Sequence, residues 1–282
     1  MSEIKLPSFD ALDPFQICYK AETAMEGKAK KAVSSAFLLA IMAGLFIGLG
    51  FIYCSVANVA GAGKIVGGLV FSVGLMLVVI FGADLFTGSA MTLVARASGK
   101  ITWGQLLYNW VVVYFGNLVG ALLLVALVHF SGHAWQSGGA IAVFYINTTA
   151  HKLSYTFVEA LFLGILCNLM VCLAVWMSLG GRSVLDKMLV CLFPVGLFIA
   201  SGFEHSIANM FMLPSGVIAS QIAPPEVLAK LADPKHIAET LTWSNVIFKN
   251  LIPVTIGNII GGGVLVGLFN WLIYLRPGVA RH

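Results

Sequence analysis

The chain has 282 residues, 59% of them apolar and only 10% charged, with a mean hydropathy of +0.95. A soluble globular protein is about 25% charged; so few charges cannot cover a water-facing surface, which excludes a soluble domain. The formal net charge of +4 is small for this length and is no argument for nucleic-acid binding.

Residues 1–31 are polar and mixed in charge, with no apolar run before Ala32, so no cleavable leader is expected. Within them, residues 8–31 read as a helix with acids early and lysines late, as a helix dipole favours. Six apolar spans follow, at 33–54, 66–95, 106–130, 154–178, 188–213 and 248–274. Positions 32–63, 101–151 and 250–275 hold no Asp, Glu, Lys or Arg. A crossing needs about 20 apolar residues, and continuous rather than alternating runs favour helices over barrel strands. The expected fold is therefore all-α and membrane-embedded, with a cytoplasmic segment 1–31, a six-helix channel domain 32–275 and a cytoplasmic tail 276–282. The five cysteines contain no CxxC pair and read as buried free thiols; no metal or cofactor is expected.

With an even number of spans, both termini share a side. That side carries eleven of the 16 Lys and Arg residues, which makes it cytoplasmic and places the chain in the cell's inner membrane.

The chain also repeats itself. Phe37-x-x-Ala40-x-x-x-Gly44 recurs as Phe157-x-x-Ala160-x-x-x-Gly164, and Gly82-Ala83-Asp84 as Gly202-Phe203-Glu204. Asn109-x6-Gly116-Asn117-x-x-Gly120 recurs as Asn250-x6-Gly257-Asn258-x-x-Gly261. Each half holds three spans, so the halves enter from opposite sides as two inverted three-helix repeats. Spans 2 and 5 carry the expected breaks, at Gly82 to Gly88 and Ser201 to Ser206. Irregular backbone at membrane depth survives only inside protein or beside a water-filled cavity, and half-helix N-termini favour anions.

His205 in the second break is the sharpest candidate, because an ionisable group inside a membrane is costly and imidazole changes charge near neutral pH. By the inverted symmetry Thr87 faces it across the path. Asn168 and Asn258 read either as polar pore lining or as interhelical hydrogen-bond partners. Lys152 is either an anion-gathering vestibule residue or a solvated loop lysine. Asp84 and Glu204 are read as structural supports of the breaks, since an acid repels an anion.

Gly82-Ala83-Asp84-Leu85-Phe86-Thr87 and Gly202-Phe203-Glu204-His205-Ser206-Ile207-Ala208-Asn209-Met210 resemble the span 2 and span 5 breaks of the formate–nitrite transporter family. The resemblance extends over nearly the whole chain beyond the first 30 or so residues. It implies an aquaporin-like fold, a homopentamer with one pore per protomer, and passive, pH-dependent passage of formate, as the anion or with a proton. Nitrite or hydrosulfide is the alternative cargo. It further implies an outer constriction of Phe71 and Phe198, an inner one of Leu75, Leu85, Phe86 and Val171, and His205 as proton donor. Residues 1–31 would cap the cytoplasmic mouth or dock a formate-producing lyase. An enzyme is not expected: the sequence has no HExxH, no CxxC and no nucleophile elbow.

Overall fold

The computed structural model describes residues 12–278, which are helical and contain no strand. Residues 8–11 of the expected first helix, and 279–282 of the tail, lie outside the described residues. Helix α1 spans Pro14–Ala29; Asp13 caps it, exchanging bonds with Gln16, with Pro14 at the first helical position.

Five helical stretches are long and apolar enough to cross a membrane: Val33–Val59, Gly63–Phe81, Trp103–Phe130, Phe157–Gly180 and Trp243–Leu275. We label them α2 (Val33–Val59), α3 and α4 (Gly63–Phe71 and Val73–Phe81), α7 (Trp103–Phe130), α9 (Phe157–Gly180) and α14 (Trp243–Leu275). Between them lie α5 (Phe86–Ser89), α6 (Leu93–Ala97) and α8 (Ala140–Leu153). The remaining apolar stretch is two 17-residue helices, α10 (Val184–Ala200) and α11 (Ser206–Ile222), followed by short α12 (Pro225–Leu228) and α13 (Pro234–Thr240). Large apolar side chains such as Leu38, Phe162 and Phe193 lie exposed on the outer faces, as lipid or a neighbouring subunit would require.

Both expected breaks are present. Helix α4 stops at Gly82 and α10 just before Gly202; these glycines have φ of +76° and +73°, left-handed values that side chains resist. Asp84 N–H then donates to Leu39 O at 3.2 Å, and Glu204 N–H to Leu163 O at 3.3 Å. Helix continues past the expected end of the fifth span at 213: α11 runs through Pro214 to Ile222. Hydroxyls of Ser215 and Thr149 bond the nearby carbonyls of Phe211 and Met212, which satisfies polar backbone around the proline.

The helices of each half pack backbone to backbone. A Cβ on Gly120 would stand 2.0 Å from Ile41 O, and one on Gly261 2.2 Å from Ile165 O. Only glycine allows α7 so close to α2, and α14 so close to α9. Gly120→Ala and Gly261→Ala are each expected to cost about 1–3 kcal/mol. Both should reduce the monodisperse protein recovered in detergent; recovery equal to wild type would show that the helix pairs separate freely.

Candidate functional site

The two breaks bring α5 and α11 end to end. Thr87 Oγ1 lies 3.1 Å from His205 Nε2, and both residues are buried. His205 is also the N-cap of α11: its Nδ1 accepts from Ala208 N–H at 3.0 Å. An accepting Nδ1 carries no proton, so these partners assign the neutral Nε2–H tautomer, with Nε2–H donating to Thr87 Oγ1. The Thr87 hydroxyl hydrogen is then left to donate to a carboxylate. The imidazole ring stacks on Phe198, with centroids 5.8 Å apart and planes 18° apart.

Phe198 meets Phe71 edge to face at 5.7 Å. With Leu75, Leu85, Val171 and His205 these rings line a cleft too narrow for a water molecule. Ile47 and Val195, which sequence reasoning did not single out, line it as well. Phe86 does not. Its ring packs edge to face on Tyr114 at 5.0 Å and Trp110 at 6.3 Å, because its amide is fixed by Asn117 Oδ1.

Asn258 spends its side chain on the scaffold. Its amide donates to Gly164 O at 2.8 Å and Glu204 O at 3.0 Å, and its Oδ1 accepts from Ser206 N–H at 2.9 Å. Asn168 likewise gives its amide hydrogens to Thr87 O and Asn258 O. Asn117, unassigned from sequence, makes the matching set in the first half: amide to Ala40 O and Asp84 O, Oδ1 from Phe86 N–H. The recurring Gly-Asn pairs at 116–117 and 257–258 were the available signal.

The carboxylates of Asp84 and Glu204, one in each break, bond lysine and asparagine side chains. Glu204 pairs with Lys152 Nζ at 2.5 Å and accepts from Asn209 and Asn250 at 2.7 and 3.0 Å. Asp84 faces two lysines that follow or end α1: Lys31 Nζ at 2.5 Å and Lys28 Nζ at 3.1 Å. Lys152 is thus an ion-pair partner, not a solvated lysine. It lines, with Glu204, His151 and Tyr155, a cavity of about 470 Å³ between α2, α8 and the end of α10.

Helix α1 is docked against the bundle. Lys20 Nζ donates to Leu179 O at 2.7 Å, and Lys100 pairs with Glu22 at 2.5 Å. The Glu22 carboxylate raises the Lys100 ammonium above the usual lysine range.

A membrane-embedded bundle with two backbone breaks meeting at a closed apolar cleft agrees with what comparison finds. The family model described as formate/nitrite transporter matches residues 15–272. The formate channel FocA of Escherichia coli strain K12 is 52% identical over 95% of this chain and 96% of its own length. FocA of Haemophilus influenzae is 46% identical over 95% and 96%. A solved structure described as a pentameric formate channel with formate bound superposes with a TM-score of 0.80 at 47% identity, covering 88% of this chain and 99% of its own. The chain belongs to the formate/nitrite transporter family.

Proposed function

We propose that this chain is a passive, pH-dependent formate channel of the inner membrane, working as a homopentamer with one pore per protomer. The observation that carries the reading is the Thr87–His205 pair, 3.1 Å apart at the meeting of the two breaks beside the Phe71–Phe198 cleft. Similarity to channels named for formate, one of them pentameric, supports cargo and assembly.

In this reading the fold is aquaporin-like: six spans in two inverted three-helix repeats, α10 and α11 together making the fifth. The support is the matched bonding of Asn117 and Asn258, each tying its own break to its own half. Residues 1–31 and 276–282 are cytoplasmic. The exposed face of α1, where Tyr19 is 56% exposed, is the surface for a formate-producing lyase.

Formate entering from the 470 Å³ cavity leaves water there. A bare carboxylate in a dry cleft is expensive, so it needs donors at the narrowest point. The Thr87 hydroxyl supplies one directly, and the His205 Nε2–H supplies a second when it turns from Thr87 Oγ1 to the anion. Proton donation needs more: the neutral ring must first take a proton at Nδ1, which breaks its bond from Ala208 N–H. Transfer from His205 to formate is therefore coupled to the ring leaving its capping position.

Formate uptake into vesicles holding the purified protein, at about pH 5 and pH 7, values that bracket an ordinary imidazole pKa, tests the proposal. Protein-dependent formate uptake with a pH response is expected. A folded pentamer that passes nitrite or hydrosulfide and not formate would overturn the cargo.

A further inference from the structure

The matched bonding reaches beyond the spans, into α1. Asn109 Nδ2 donates to Lys28 O at 3.1 Å, and Asn250 Nδ2 to Lys152 O at 3.4 Å. Lys28 and Lys152 each place an ammonium on the acid of their own break, Asp84 and Glu204. On the repeat reading above, on which this inference rests, α1 is the counterpart of α8.

Besides the shorter acid and the second lysine of the first half, the two copies differ at the fifth residue after the acid. In the second half this is Asn209, whose amide closes the network: one hydrogen goes to Glu204 Oε2 at 2.7 Å, the other to Asn250 Oδ1 at 2.7 Å. In the first half it is Ser89, too short to reach both groups. Three polar atoms there are buried and make no hydrogen bond: Ser89 Oγ, Asn109 Oδ1 and Asp84 Oδ1. Lys28 Nζ stands 3.1 Å from Asp84 Oδ1, but without the alignment of a hydrogen bond. Ser89 and Asn109 lie on packed elements, since the next residue, Trp110, donates through Nε1 to Ser89 O at 3.0 Å.

We propose that Ser89, Asn109 and Asp84 form a buried binding site for one water molecule, which takes the role of the Asn209 amide and holds in place Asn109 and Asp84, the two groups that bond Lys28 at the end of α1. The chemistry selects water. Two oxygen acceptors need a donor of two hydrogens, and the Ser89 hydroxyl completes the set as donor or acceptor. A cation is repelled by the ammonium groups of Lys28 and Lys31, and an anion by Asp84 and Asn109 Oδ1. A bridging water bonds nearly as well as a side chain yet is not covalently held, so α1 releases more readily than α8.

Alkylation of Cys18 reads the docking of α1. Cys18 is fully buried, its Sγ 3.6 Å from Asn270 O, and burial together with Glu22 pushes its thiol up to about 12. Labelling of the full-length protein by a maleimide, quantified on the Cys18 peptide, measures release. Ser89→Asn installs the amide of the second half and is expected to slow labelling several-fold. Ser89→Ala, which adds no bulk, removes one hydrogen bond of about 1 kcal/mol and is expected to speed labelling about fivefold. Labelling unchanged in Ser89→Ala, or faster in Ser89→Asn than in Ser89→Ala, would overturn the water site. Wild-type formate uptake reports separately on the channel reading: a conducting protein whose Cys18 ignores Ser89 sinks the water alone.

Discussion

Asn258→Leu is expected to yield no folded, monodisperse protein in detergent, although leucine nearly matches asparagine in volume. The replacement leaves Glu204 O and Ser206 N–H without partners and Gly164 O with only the bond of its own helix, in a region of complete burial. Each orphaned group costs about 1–3 kcal/mol. Together they reach the lower end of a typical total folding stability of about 5–15 kcal/mol. Helix α11 would also lose the anchor that holds its first amide. Asn117→Leu removes the same three kinds of bond from the first break and is expected to fail in the same way. A useful contrast is Asn58→Leu: Asn58 is only partly buried and bonds Cys54 within its own helix, so its loss should cost about 1 kcal/mol or less. Size-exclusion profiles of the three variants decide the matter. Asn258→Leu eluting like wild type would mean that water already serves those carbonyls, and the asparagine would not be the scaffold described above.

That role is one of the two that the sequence left open for Asn258. A polar side chain inside an apolar run must bond something, but hydropathy does not say whether the partner is a permeating anion or backbone freed by a break. The breaks themselves were legible, because Gly82 and Gly202 punctuate runs otherwise fit for helix. What lies between the glycines was less so. Leu85 faces the cleft while its neighbour Phe86 packs on Tyr114, and non-helical backbone has no period from which to derive that alternation. The internal match was also ambiguous by one turn. Motifs align Ala40 with Ala160, yet the hydrogen bonds pair Ala40 O with Gly164 O and Leu39 O with Leu163 O. Residues four apart share a helix face, so small-residue patterns fit either register, and only the partner asparagine distinguishes them. The lysines on Asp84 were illegible for a different reason: they come from outside the spans, carried there by α1.

His205→Asn is expected to fold, to lose about 10- to 100-fold of formate flux at pH 7, and to change its pH response. Folding should survive because asparagine is among the strongest N-caps; its Oδ1 replaces Nδ1 as acceptor for Ala208 N–H. The ring does not survive. A donor to a charged carboxylate is worth about 1.5–3 kcal/mol, and each 1.4 kcal/mol is tenfold in rate, which sets the loss. The pH response is the sharper readout. Without a group that can carry a proton at the cleft, formate crosses mainly as the acid already neutral in bulk water. Carboxylic acids titrate near pH 4, so above that the neutral share falls about tenfold per pH unit. Flux through the variant should thus drop about 100-fold from pH 5 to pH 7, while wild-type flux, with the ring able to take a proton once it leaves Ala208, should drop far less. Initial rates of labelled-formate uptake into vesicles at several pH values separate the cases. A variant with reduced flux but the wild-type pH profile would keep His205 as a hydrogen-bond donor and remove it as a proton carrier. One matching wild type in both would leave Thr87 as the donor that admits the anion.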